Sequence, residues 1–161
     1  MAEADERRGW RVAVASDKAG ALHCAALTGD LLASPLVGQV IMATRGQQLA
    51  YPEAALVAAE LVAAGVADRA LLVCHTGLGV CVAANKVRGV RAVTAHDAYS
   101  VEHAIRYTNA QVLCLGQAIA PLDQARELVR LWLSLRFDAH DNAMRKLAAI
   151  EDYENNRPRH A

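Results

Sequence analysis

At 161 residues the chain is about one domain long; 54% of it is hydrophobic, mostly Ala, Val and Leu, and only 4% is aromatic, as in compact α/β proteins whose helices lie close on a sheet. Seventeen basic residues cancel seventeen acidic ones, so no net field draws the chain to nucleic acid or to an anionic membrane. The charged start MAEADERRGW and the lack of an apolar run of about 18 residues argue against a signal peptide or a membrane span, and a cytoplasmic protein is expected.

The first ten residues read as a charged extension. RVAVA (11–15) is a short strand that ends at SDKAG, and apolar residues then recur at helical spacing to about Leu32. After Ser34-Pro35, VGQVIMAT (37–44) reads as a second strand, and Pro52 opens an Ala-rich helix that Gly65 closes. ALLVC (70–74) is the third strand, GVCVAANK (79–86) a helix behind two glycines, and VRAVTA (90–95) the fourth strand. AYSVEHAIRY (98–107) reads as a helix, AQVLCLG (110–116) as the fifth strand, and PLDQARELVRLWLSL (121–135) as a helix with a Pro start. This alternation predicts one α/β domain over 11–137, a five-stranded parallel sheet covered on both faces, with right-handed crossovers. From residue 138 to 161 the chain turns polar, with one amphipathic helix from about Asp141 to Tyr153. It is read either as a frayed terminal helix or as an arm that packs on a second subunit.

Ligands of an open parallel sheet gather beyond the carboxyl ends of its strands. To that end we assign SDKAG (16–20), the residues before Tyr51, CHTGLG (74–79), AHDAYS (95–100) and the stretch from Tyr107 to Gln111. Cys24, Cys74, Cys81 and Cys114 show no CxxC spacing and sit in apolar segments, so free thiols are expected rather than disulfides or a zinc site. Gly77-Leu78-Gly79, with Asp97 further on, imitates part of a dinucleotide fingerprint. Val82 stands where the third glycine would be, and the motif follows the third strand rather than the first, so NAD is not expected. The same turn suits an anion, an enediolate or a phosphate, because glycines and a helix start expose N–H groups. Such surroundings lower a thiol pKa from about 8.5 toward neutrality, which makes Cys74, at the strand end, a candidate nucleophile or proton-transfer base.

The segments V-A-S-D-K-A-G, L-L-V-C-H-T-G-L-G-V-C-V-A-A-N-K-V-R-G-V-R-A and N-A-Q-V-L-C-L-G resemble the ribose-5-phosphate isomerase B and galactose-6-phosphate isomerase family over residues 11–152. That resemblance implies a three-layer α/β/α Rossmann-like fold and a homodimer or dimer of dimers with shared active sites. It also implies aldose–ketose isomerisation through a cis-enediolate, without cofactor or metal. Cys74 matches the family's thiol base, and Gly77, Leu78 and Gly79 the loop whose amides hold the enediolate. Thr76 would orient the thiol or the substrate, Asp17 would bind sugar hydroxyls, and Tyr51 would face the substrate. Asn85 would tie the loop down or touch the substrate. Relatives that use a glutamate in place of the cysteine carry it where this chain has Val80.

Five departures bear on the substrate. Tyr107 stands where relatives carry a ring-opening histidine, and Thr108, before Asn109, where they carry an asparagine; His103 reads as a surface residue. A tetrose 4-phosphate needs no ring opening, because its phosphate occupies the oxygen that would close a furanose. This favours the erythrulose 4-phosphate branch, which the chain also resembles in Thr94 to Ser100, and leaves a pentose 5-phosphate such as ribose 5-phosphate open. Ala118 and Asn142 replace two phosphate-binding arginines, so Lys18, Arg145 and Lys146 are the candidate phosphate contacts. His75 replaces a glycine and is either a solvent-facing loop residue or a titratable neighbour of Cys74, while His96 and Asp97 end the fourth strand with a binding or positioning role. The expected partner is a small sugar or sugar phosphate. An isomerase of an unphosphorylated sugar, or a silent paralogue that binds sugar or joins a mixed oligomer, are the alternatives.

Overall fold

In the computed structural model, which describes residues 8–156, strands β1 (Trp10–Ser16), β2 (Val37–Met42), β3 (Arg69–Cys74), β4 (Ala92–Thr94) and β5 (Val112–Gly116) alternate with helices. The helices are α1 (Ala21–Ala33), α2 (Tyr51–Ala63), α3 (Leu78–Ala84), α4 (Ala98–Thr108), α5 (Leu122–Ser134) and α6 (Asp141–Asn155). Every strand pair is parallel, in the order β2-β1-β3-β5-β4. The continuous apolar runs of β3 and β5 are buried along their whole length, as strands covered on both faces must be. On one face Leu27 and Leu31 of α1, Val101 and Ile105 of α4, and Leu128 and Trp132 of α5 form the larger core. The opposite face is closed by α2 and α3. There α2 buries Ala54, Ala55, Ala58 and Ala59, side chains small enough to bring the helix close to the sheet. The chain is thus the expected three-layer α/β/α sandwich.

Local differences from the sequence reading have visible causes. Trp10 belongs to β1 rather than to a charged extension, because its indole N–H donates to Leu133 O at 2.8 Å and its ring lies between the guanidinium groups of Arg69 and Arg136. Residues 1–7 of that extension and 157–161 of the tail lie outside the described residues. Helix α3 stops at Ala84 instead of reaching Lys86, since Asn85 turns its side chain across to Ala92. Strand β4 is only three residues long. The carbonyl of Arg91 ahead of it accepts from the N–H groups of both Gln111 and Val112. The tail helix α6 is seated on its own chain through Arg88–Asn155 at 3.2 Å, Gly89 N–Glu154 at 2.9 Å and Arg91–Glu151 at 3.7 Å.

The strand order fixes where a ligand can sit. From β1 the chain moves to β2 on one side, and β3 then pairs with β1 on the other, so a crevice opens at the carboxyl ends of β1 and β3. Ser16 is in register with Val73, which brings Asp17 and Cys74 to that crevice. Residues 107–111 precede β5 and therefore lie at the amino end of the sheet, which corrects their assignment to the ligand end.

Candidate active site

Cys74 is the last residue of β3, in register with Gly116, and only 5% exposed. The chain turns sharply after it. Gly77 adopts φ +78°, and a Cβ there would lie 2.9 Å from the Leu115 carbonyl carbon and 3.0 Å from the Gly116 nitrogen, so both conformation and space require glycine. This turn brings the Gly77 N–H to the Cys74 Sγ at 3.1 Å. Thr76 Oγ1 accepts from the Leu78 N–H at 3.3 Å, and Thr94 Oγ1 donates to the Gly77 carbonyl at 2.7 Å. Gly79, in the first turn of α3, leaves room for the ring of Tyr51, whose nearest carbon would be 2.7 Å from a Cβ at that position. The first turn of a helix carries amides with no partner inside the helix. The Cys74 thiol therefore lies against the start of α3, with the ring of Tyr51, the first residue of α2, packed on Gly79.

Around this turn stand polar groups from neighbouring strand ends. Asp17 accepts from the Gly20 N–H at 3.0 Å, shaping the loop in which Lys18 is exposed. His75 is exposed, and its Nδ1 meets Gln117 Nε2 at 3.0 Å. With the Gln117 amide as donor, the ring carries its proton on Nε2, free to donate. Sequence reasoning missed Gln117. It is the first polar residue after β5 and would have emerged from inspecting the carboxyl end of that strand. The adjacent Ala118 donates its N–H to the His75 carbonyl at 3.0 Å, so no cationic side chain stands at this position.

A sequence profile of the Ribose/Galactose Isomerase family matches residues 12–150. The chain belongs to that family. It is 47% identical over 147 residues to D-erythrulose-4-phosphate isomerase 2 of Mycolicibacterium smegmatis, an alignment covering 89% of this chain and 97% of that protein. Identity to ribose-5-phosphate isomerase B of Escherichia coli is 34% over 107 residues, covering 65% of this chain and 72% of the other. Among solved structures, ribose-5-phosphate isomerase B of Mycoplasma genitalium with bound ribulose-5-phosphate matches with a TM-score of 0.83 at 28% identity, covering 91% of this chain and 97% of that one. That of Clostridium thermocellum gives 0.83 at 30% identity, with coverages of 90% and 97%. The chain is therefore an isomerase, as the motifs implied, with a fold shared along nearly its whole length.

Within one chain of this ribose/galactose isomerase, the expected site residues divide between the two ends of the sheet. Asp17, Lys18, Tyr51, His75, Thr76, Gly77, Leu78, Gly79 and His96 gather around Cys74. Tyr107, Thr108 and Asn109 close α4 at the other end, roughly 13 Å along the helix axis from its start. Thr108 Oγ1 donates to its own helix at Ala104 O, and Asn109 takes the left-handed conformation that ends α4. Arg145 and Lys146 lie on α6, anchored near Tyr107 by His140 and near Gly89 by Glu154, so they belong with this second group. Asn85 is also at that end, where its amide is engaged with the carbonyls of Cys81 and Ala92 and with the Ala92 N–H. Asn85 ties α3 to β4 and does not reach Cys74. It lines, with Thr108, a cleft of ≈ 620 Å³ between β4 and α6. The described residues hold no group of three or more His, Cys, Asp or Glu placed to bind a metal, and no helix among them is long and apolar enough to cross a membrane.

His96 and Asp97 act on the scaffold. Asp97 caps α4, accepting from the Ser100 N–H at 2.8 Å and its hydroxyl at 2.7 Å, and these bonds hold its carboxyl below the usual range. His96 Nε2 accepts the Gly116 N–H at 2.9 Å, and burial pulls the imidazole below its ordinary value of 6.5. The folded chain thus binds a proton at His96 less readily than the unfolded chain. Its contribution to stability is complete above pH 6.5 and is lost as pH falls below that value. In His96→Gln, where an amide oxygen replaces the acceptor without titrating, the melting temperature should fall less between about pH 7 and pH 5 than in the wild type. An identical pH slope would show that the Gly116 bond is not linked to protonation.

Proposed function

We propose that the chain interconverts an aldose and a ketose phosphate of short chain, with a tetrose 4-phosphate preferred, and that the Cys74 thiolate moves the proton between C1 and C2. The observation that carries this reading is the Cys74 Sγ held 3.1 Å from the Gly77 N–H at the β1/β3 crevice. A base that shuttles one proton needs a fixed position and donors aimed at the oxygen where charge develops. In this reading Cys74 takes the proton from C2 of the aldose to give a cis-enediolate, whose O1 is held by amides at the start of α3 and takes up the O2 hydroxyl proton as C2 becomes the carbonyl. The same sulfur returns the proton to C1. Asp17 accepts from substrate hydroxyls and the His75 Nε2–H donates to a hydroxyl oxygen, Tyr51 covers the reacting carbons and excludes water, and Lys18 supplies positive charge for the phosphate at this end of the sheet.

The tetrose preference has two supports. Tyr107 is a phenol and not an imidazole, and a tetrose 4-phosphate has no furanose to open because O4 is esterified. The relative that shares 47% of its residues over 97% of its own length is named for D-erythrulose 4-phosphate. The reading also needs a second copy of the chain, in a homodimer or dimer of dimers, since Tyr107, Asn109, Arg145 and Lys146 lie too far from Cys74 to serve the same site. The deciding experiment compares D-erythrose 4-phosphate, D-ribose 5-phosphate and free D-erythrose in deuterated water. We expect kcat/KM for the tetrose phosphate to exceed the other two by at least about tenfold, a difference of about 1.4 kcal/mol, with solvent deuterium in the product at the carbon that receives the proton. Equal rates for free and phosphorylated erythrose would refute the phosphate reading.

A further inference from the structure

At the carboxyl end of the sheet, β3 and β5 stay bonded to one another beyond the strands themselves. Cys74 is in register with Gly116; past that pair the Gln117 N–H donates to the Cys74 carbonyl at 2.9 Å, and the Ala118 N–H to the His75 carbonyl at 3.0 Å. Gly116 is held as well. Its N–H donates to His96 Nε2 at 2.9 Å, its carbonyl accepts from the N–H groups of Ile119 and Ala120, and a Cβ there would lie 2.3 Å from the Thr76 carbonyl carbon. The backbones of His75 and Gln117 are thus fixed before either side chain is placed. From this frame the Gln117 amide reaches the His75 ring, with Nε2 at 3.0 Å from Nδ1. Neither residue is buried, so the fold does not depend on this bond. What it sets is the position of the imidazole proton. A neutral ring carries one N–H, and a ring nitrogen that accepts from an amide cannot also hold that proton. The bond therefore leaves Nε2–H as the free group of His75, a donor and not an acceptor.

We propose that Gln117 is a positioning residue of the isomerase: it acts through His75, holding the imidazole in the tautomer and orientation that donate from Nε2 to a substrate oxygen. The inference rests on the contact between His75 and the substrate proposed above, and adds the group that makes this contact a donor. Without the Gln117 amide the ring turns freely and its proton divides between the two nitrogens. A fraction of the molecules then presents a lone pair where the substrate oxygen requires an N–H. The loss falls on binding rather than on proton transfer, because the reacting carbons lie against Cys74 in this reading. A contact made equally to substrate and transition state changes KM and leaves kcat. The Gln117 side chain can be removed without disturbing its neighbours, since the bonds that join residues 74–75 to 117–118 are made by the backbone alone.

The test follows the His75 ring by NMR of the full-length protein carrying heavy nitrogen in its histidines, with the imidazole neutral, and reads steady-state kinetics beside it. The wild type should show a bare Nδ1 and a protonated Nε2. In Gln117→Glu the carboxylate can only accept, so the proton should move to Nδ1, and in Gln117→Ala the two tautomers should mix. KM for D-erythrose 4-phosphate should rise about fivefold in Gln117→Ala, the weight of one hydrogen bond. It should rise at least as far in Gln117→Glu, with kcat within about twofold of wild type and the melting temperature unchanged in both. In a His75→Ala background, adding Gln117→Ala should cost nothing further. A proton on Nδ1 of an active wild-type enzyme would overturn the proposal. So would an unchanged KM in Gln117→Ala, or a KM loss of the same size with and without His75. A wild-type chain inactive on every sugar tested would refute the isomerase reading and this role with it, whatever the tautomer.

Discussion

Replacement of Cys74 by alanine is expected to lower kcat about 1,000-fold, within the range that a positioned base contributes, with little change in melting temperature. The side chain is small, and the main partner it abandons is the Gly77 N–H at the rim of the site. Cys74→Ser separates the two functions of the sulfur. A hydroxyl can still accept from Gly77 and hold the turn, but it does not ionise near neutral pH, so the serine variant should match the wild-type melting curve and still lose at least about 100-fold in kcat. Deuterium exchange into substrate should fall in parallel, because the step lost is proton abstraction. Exchange at the wild-type rate in either variant would remove Cys74 from the mechanism. The same variant examines the shared site. A Tyr107→Ala chain should be impaired as well, and random co-assembly with Cys74→Ala chains makes about half the dimers mixed, each with one intact site if sites are shared across a twofold interface. About one quarter of wild-type activity should return, and none if each chain holds its own site.

The strands were legible because parallel strands covered on both faces must be apolar throughout, and RVAVA, ALLVC and AQVLCLG leave no other reading at that length. Cys74 was legible for a related reason. A polar or reactive residue at the end of such a strand, followed by glycines, lies where loops converge. What the linear sequence hid was the sense in which each element runs. Tyr107 to Gln111 stand beside a strand as CHTGLG does, but ahead of it, and that difference moves them to the far end of the sheet. Gln117 was overlooked by the same slip. Contacts between elements were hidden for another reason: a helical residue and a strand residue far apart in sequence meet only through the packing of α3 on the sheet. Asn85 shows both effects, since the signature ending in Asn-Lys marks a helix terminus whose amide bridges to β4 at the end of the sheet away from Cys74.

Arg69→Met is expected to destabilise the chain by about 2–3 kcal/mol and to lower its melting temperature by roughly 5–10 °C. Arg69 is 5% exposed, and the carboxylate next to it in sequence, Asp68, is engaged with Arg11 at 2.7 Å. Its guanidinium instead donates to the carbonyls of Trp132 and, at 2.6 Å, of Leu135, at the carboxyl end of α5. It lies over the Trp10 ring at 3.9 Å, while Arg136 lies 3.8 Å from the same ring. Two effects oppose. Burial and the Arg136 charge pull the Arg69 pKa to about 9, so methionine would relieve a real desolvation cost. Methionine would also leave the Trp132 carbonyl without the donor that caps α5 and remove a cation–π contact. The last carbonyls of a helix have no donor within it, and an orphaned buried acceptor costs about 1–3 kcal/mol. Capping should win, because the fork of one guanidinium serves two carbonyls and its aliphatic stem already fills the space methionine would take. Arg69→Lys retains the charge without the fork and should recover only part of the loss. At neutral pH Arg69 is charged in both folded and unfolded chains, so the deficit should be the same at about pH 6 and pH 8. A melting temperature that rises in the methionine variant would mean that the burial cost exceeds the cap, and that β3 tolerates this charge at the expense of stability.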